Sequence, residues 1–350
     1  MKPTFYLILF TLILASCASK PTPIPTPAGP QTITILTHDS FAIGKDVIKT
    51  FETDNNAKVV ILQSGDAGAV LNQAILTKNA PLADVLFGVD NTFLSRALDA
   101  DIYETYPSPI LNDIPDEYKL DPSNRALPVD YGDVCINYDK NYFSKNNLPV
   151  PLTFEELAKP EYKNLLVVEN PATSSPGLAF LLATRVHFGD GYLDYWKSLK
   201  ANGVVVVDGW ETAYYTNFSA SSGKGPQPMV LSYASSPAAE VFFASPPPTE
   251  SPTASIVASG MCFRQIEFVG ILKKTPNQAL AQKFVDFMLS QKFQEDMPLN
   301  MFVYPTNKNA KLPDVFVKYA QVAENPAVLS YSEIAANRDA WIEAWTETMK

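Results

Sequence analysis

Gln31-Thr32-Ile33-Thr34-Ile35-Leu36-Thr37 alternates polar and β-branched residues, and His38-Asp39-Ser40-Phe41 then breaks the alternation. That is the pattern of a strand ending in a loop. Asp46 to Glu52 follows as a helix with Val47, Ile48 and Phe51 on its apolar side, and Val59-Val60-Ile61-Leu62 as a second strand. A helix over Gly68 to Thr77 and a third strand over Ala83 to Gly88 continue the series. Strands alternating with helices predict an α/β fold, a parallel sheet with helices on its faces. Ligands of such sheets lie outside the carboxyl ends of the strands.

The pattern changes after Pro128, where Asp130-Tyr131-Gly132-Asp133 leads into a strand containing Cys135, as if the chain left one sheet for another. A second alternating set comprises the strand Leu165 to Val168, the helix Gly177 to His187, and the strands Val204 to Val207 and Met229 to Tyr233. Gln265 to Leu272 reads as a further strand, Gln278 to Leu289 as an amphipathic helix, and Ser332 to Met349 as a last helix. Trp341 and Trp345 lie at i and i+4 on that helix, the spacing of a packing stripe. Ser245 to Pro252 reads as a proline-rich surface loop. Two α/β lobes are expected.

Upstream, Lys2 precedes the apolar run Phe5 to Leu14, which is too short for a bilayer span of roughly 20 residues. The run ends in Leu14-Ala15-Ser16-Cys17, which resembles a bacterial lipobox. The resemblance implies a signal peptide over residues 1–16 and a lipid on Cys17, holding the chain at the extracytoplasmic face of the cell membrane. Pro21, Pro23, Pro25, Pro27 and Pro30 make residues 17–31 a stiff tether. Residues 32–350 are then the folded part. A formal charge of −10 argues against nucleic acid as a partner. Zinc is not expected, because His38 and His187 are the only histidines and no CxxC spacing occurs. Cys135 and Cys262 could pair in an oxidising compartment, but nothing local brings them together, and buried free thiols are the expectation.

Two segments repeat one device. Thr173-Ser174-Ser175-Pro176-Gly177 and Ala234-Ser235-Ser236-Pro237-Ala238 each place serines before a proline that opens a helix. Local capping accounts for both. Alternatively, both helix starts face one cleft and offer N–H groups and hydroxyls to a polar ligand. Trp210, just after Gly209 at a strand end, suits stacking on a flat ligand or a place in the core. Asp39, Asp66 and Asp90 follow strands and together could face a cation. Tyr214 and Tyr215 are adjacent on an apparent helix, about 100° apart, so at most one would face a ligand and packing is the expectation. No nucleophile–base pattern, phosphate loop or HExxH is present; no enzymatic activity, cofactor or metal is expected.

The motifs form an ordered series: Thr37-His38-Asp39-Ser40-Phe41, Gly88-Val89-Asp90-Asn91, Val129-Asp130-Tyr131-Gly132, Thr173 to Leu178, Gly209-Trp210, Leu231 to Pro237, Met297-Pro298, Tyr304-Pro305 and Ala340 to Trp345. The series resembles the thiamine-binding proteins of bacterial ABC importers. The resemblance implies a two-lobed, type II periplasmic-binding fold with two mixed sheets, flanking helices and crossover hinge strands. It places lobe 1 over about 32–129 plus 265–310, lobe 2 over about 130–264, and C-terminal helices over 311–350. It further implies a carrier, expected to be monomeric, that delivers thiamine or thiamine phosphates to a permease.

Carried over by motif, Asp66 and Ala67 line the site and Ser174 and Ser175 meet the phosphate or the pyrimidine edge. Trp210 stacks on the ligand, Tyr233, Ala234, Ser235 and Ser236 line the second lobe, and Asp39 sits near the cationic or aminopyrimidine part. Two departures stand out. Ala239 replaces a stacking tyrosine, with Phe242 or Phe243 as substitutes from the next turn, and Phe302 replaces a tryptophan before the Tyr-Pro pair. The alternative ligands are ferric iron, a polyamine or another small organic cation.

Overall fold

The computed structural model describes residues 29–221 and 224–350. Residues 1–28, which hold the expected signal peptide, Cys17 and most of the expected tether, lie outside the described residues. β1 (Gln31–Thr37), β2 (Ala57–Gln63) and β3 (Val85–Asp90) run parallel, with β1 between the other two. α1 (Lys45–Asn55) and α2 (Ala67–Leu76) connect them. All six residues of β3 are buried, whereas β2 at the sheet edge is half exposed.

The chain then crosses through β4 (Leu127–Asp139), 13 residues long. β5 (Leu166–Glu169), β6 (Val205–Val207) and β7 (Met229–Tyr233) form a second parallel set, with β5 in the middle. β8 (Thr253–Ile256) pairs with β4, and β9 (Phe263–Ile271) returns antiparallel between β3 and β4. The short β10 (Tyr304–Pro305) pairs with β4. The order β2-β1-β3-β9-β4-β7-β5-β6 is hydrogen-bonded throughout. The two expected sheets are thus the parallel wings of one continuous path, joined by the long antiparallel pair β4 and β9.

Helix Gln278–Leu289 buries Leu280, Ala281, Phe284, Val285 and Met288, the i, i+4 stripe its sequence displays. Phe51 of α1 meets Phe284 edge-on at 5.0 Å. Trp345 is buried and its ring lies 5.4 Å from Trp196, perpendicular to it, so the tryptophan pair is a packing stripe as expected. The same C-terminal helix, Tyr331–Met349, reaches the first lobe through Arg338, whose guanidinium donates to Ser95 Oγ at 3.0 Å.

The cysteine expectation is overturned. Cys135 and Cys262 form a disulfide with their Cα atoms 4.5 Å apart. Val134 pairs with Phe263 in the β4–β9 ladder, which sets the preceding and following cysteines side by side. That register depends on residues 127 positions apart, and no local pattern carries it.

Candidate functional site

Loops after β1, β2, β5, β6 and β7 converge on a cavity of about 260 Å3 between the lobes, the place that parallel-sheet topology predicts. Its wall includes His38, Asp39, Asp66, Ala67, Ser175, Trp210, Glu211, Tyr214, Tyr215, Tyr233, Ser236, Gln265, Glu267 and Phe302.

Trp210 is the best-held of the aromatic faces. Its N–H donates to Asp66 Oδ2 at 3.0 Å, and its indole Nε1–H donates to Ser232 Oγ at 2.9 Å. Tyr214 stacks behind it at 4.9 Å and 18°, and Tyr215 meets it edge-on at 5.5 Å. Asp66 caps α2, accepting from Ala67 N–H at 2.6 Å through Oδ1. One carboxylate therefore ties the loop after β2 to the loop after β6. A main-chain bond from Gly68 N–H to Thr173 O at 3.0 Å makes a second tie, toward the loop after β5. A Cβ at Gly68 would sit 2.8 Å from that carbonyl, so only glycine allows so close an approach.

The charged wall is acidic. Asp39, Asp66, Glu211 and Glu267 face His38, and no lysine or arginine stands among the described lining residues. Burial raises the Asp66 carboxyl above its ordinary range, against the pull of the Trp210 and Ala67 N–H groups. Burial, then the neighbouring Asp39, raises Glu211. His38 Nε2 lies 3.4 Å from Glu267 Oε1. The imidazole is held above its usual pKa because Glu267, with Asp66 and Asp39, outweighs the larger single effect of burial.

Under this wall three carboxylates share a row. Asp90 on β3 pairs with Glu267 on β9, and Glu267 pairs with Asp130 on β4. Directly paired residues point to the same face of a sheet. Asp90 and Asp130 are buried, and burial followed by the charge of Glu267 raises both. Thr92 Oγ1 donates to Asp90 at 2.8 Å, whereas Asp130 has only the Glu267 carboxyl beside it to share a proton.

Asp39, Asp66, Ala67, Ser175, Trp210, Tyr233, Ser236 and Phe302 are thus brought together. Ser174, Ala234 and Ser235 are not at the wall. Ser174 is fully buried beside the Asp66 carboxylate, and Ala234 packs against the disulfide. Ser235 donates from its hydroxyl to the Phe302 carbonyl at 2.5 Å. Phe302 has φ +55°, a strained conformation for a bulky side chain, and Ser235 helps to hold it. Asp90, expected in a loop, ends β3 instead and sits beneath the cavity.

Tyr214 and Tyr215 both reach the wall, contrary to the helical reading. The chain from Ala213 to Asn217 forms a wider π turn, closed by Phe218 N–H to Ala213 O at 3.0 Å. Phe243 also lines the cavity, beside Ala239, with its ring 5.4 Å from Phe302.

His38, Glu211, Gln265 and Glu267 were missed as wall residues. The available signal was Gln265-Ile266-Glu267 within an otherwise apolar strand, since a buried carboxylate there calls for a reason.

Two lobes, crossover strands and a polar, aromatic cleft between them define an extracytoplasmic solute-binding protein. The chain belongs to that class: the family described as bacterial extracellular solute-binding protein matches residues 80–323. The thiamine-binding periplasmic protein of Salmonella typhimurium is 31% identical over 347 residues, covering 97% of both chains. The solved structure of a periplasmic thiamin binding protein superposes with a TM-score of 0.80 at 28% identity, covering 92% of this chain and 97% of that one. A ferric binding protein from Campylobacter jejuni shares the fold at a TM-score of 0.73 and 20% identity, over 90% of this chain and 99% of its own. No helix among the described residues is long and apolar enough to cross a membrane.

Proposed function

We propose that this chain captures thiamine or its phosphate esters outside the cell membrane, while anchored by a lipid on Cys17, and delivers them to an ABC permease. In this reading residues 32–129 and 265–310 form one lobe and 130–264 the other, and they close on ligand about β4 and β9. The observation that carries it is the pairing of the Trp210 face with an acidic wall. Thiamine joins a flat aminopyrimidine to a permanently cationic thiazolium. Aromatic faces attract such a cation by about 0.5–2 kcal/mol each, and carboxylates accept from the amino group. The cavity is near the lower end of small-molecule pockets, roughly 300 Å3, and is larger than a bare ion needs.

The relatives that carry thiamine in their names support the ligand class. Against ferric iron, the Tyr214 hydroxyl donates to Glu240 at 2.6 Å and its ring is stacked on Trp210.

The test is a titration of the mature chain with thiamine, its mono- and diphosphate, spermidine and ferric citrate, followed by tryptophan fluorescence and melting temperature. Thiamine compounds at micromolar concentration should quench the fluorescence and raise the melting temperature. If they change neither, the reading is wrong, and a response to spermidine or ferric citrate alone would replace it.

A further inference from the structure

Glu267 has no counter-ion within the sheet. Its partners across the strands are Asp90 on β3 and Asp130 on β4, both buried acids. No lysine or arginine stands among the described residues that line the cavity. The basic group within reach is His38, whose Nε2 lies 3.4 Å from Glu267 Oε1 and has no other hydrogen-bond partner among the described residues. β3 is shaped around that imidazole. Gly88, at φ +96°, interrupts the pairing of β3 with β9, and a Cβ there would collide with His38 Cδ2, so only glycine leaves room for the ring. Phe87 packs against it with the ring centroids 5.7 Å apart.

The other charged groups that face His38 are acids: Asp66 at the start of α2, Asp39 in the same loop, and Glu211 beyond β6. Tyr233, at the end of β7, adds a neutral phenol to the wall. Burial alone would lower the His38 pKa, yet Glu267, then Asp66 and Asp39, hold it above its usual value. The wall therefore has one place for one positive charge, and a proton on His38 fills it until another cation arrives. A permanent cation beside Glu267 would repel the imidazolium and take over its partner.

We propose that His38 exchanges its proton for the positive charge of the ligand, so that capture of the cation leaves the imidazole neutral. The Nε2–H bond breaks, its electron pair stays on the nitrogen, and the proton passes to a base in the solvent. The proposal rests on the thiamine-class reading above and deepens it, with Glu267 as the carboxylate that the cation takes from His38. Affinity should rise with pH through the His38 titration, because at lower pH the ligand must first displace the proton.

Nuclear magnetic resonance of the mature chain, carrying carbon-13-labelled histidine, tests this, since His38 and His187 are its only histidines. His187→Gln, at an exposed position, leaves the His38 signal alone in the spectrum. Saturating thiamine should lower the titration midpoint of the His38 Cε1–H signal by at least about one pH unit, a tenfold loss of proton affinity. Calorimetry at pH 7, in buffers of different ionisation enthalpy, should count about half a proton or more released per thiamine bound by the wild type. Asp90→Asn should keep most of that release, and His38→Gln should lose most of it.

A His38 midpoint that stays or rises with thiamine overturns the proposal. So does a release that persists in His38→Gln, or one that vanishes in Asp90→Asn, which would place the proton in the carboxylate row. If thiamine gives neither binding heat nor a spectral change, the thiamine reading itself falls and takes this proposal with it.

Discussion

Asp90→Asn removes one of the three carboxylates that meet across β3, β9 and β4 beneath the cleft. Asp90 is 0% exposed, and burial, with Glu267 beside it, pushes its carboxyl from 3.8 up to about 7. The folded chain therefore keeps a proton that the unfolded chain releases near pH 4. Between those two values the native state binds more protons, so its stability falls as pH rises. A shift of about three units corresponds to about 4 kcal/mol over that window. Asparagine carries no titrating proton and keeps an oxygen to accept from Thr92. The variant should match the wild type at pH 4 and exceed it by up to about 4 kcal/mol at pH 8. Urea unfolding followed by circular dichroism at pH 4, 6 and 8 measures this. Titrating groups away from the Asp90–Glu267–Asp130 row cancel in the difference between the two proteins. A difference that stays constant across the range would mean that Asp90 is not protonated in the native state, and the argument from burial would fail.

Trp210→Ala should weaken thiamine binding by about 1–2 kcal/mol, roughly 5- to 30-fold in Kd, with the circular dichroism spectrum unchanged; unaltered affinity would remove Trp210 from the site. Cys262→Ser opens a loop spanning 127 positions and should cost about 2–5 kcal/mol, lowering the melting temperature to that of the wild type treated with reductant. Trp345→Ala removes a buried ring packed on Trp196 and should cost about 3–5 kcal/mol in denaturant while leaving the thiamine Kd within twofold or so. A large change in Kd there would make the C-terminal helix part of the binding mechanism.

Much of the site was legible because its residues sit at local landmarks. Asp66 caps α2, Ser175 and Ser236 open helices beside prolines, and Trp210 follows a glycine at a strand end. Each landmark is a few residues long, and side-chain chemistry at that range is written in consecutive letters. Ser174, Ala234 and Ser235 lie off the wall because neighbours in a motif divide between the wall and the layers around it, a division the letters alone do not show. Tyr214 and Tyr215 went the other way, since a π turn is not visible in a pattern that also fits an ordinary helix.

The sequence by itself determined the alternation of strands and helices, the two α/β lobes, the tryptophan stripe of the last helix, and the cluster of polar and aromatic residues at strand ends. Period and capping are local, so local residues suffice. Only the tertiary structure decided that Cys135 meets Cys262, that Asp90, Glu267 and Asp130 share a row, and that Asp66 reaches across to Trp210. Those pairings depend on the register of strands brought together from distant parts of the chain. A shift of one residue would send every side chain of a strand to the other face, and that register comes from packing of the whole core.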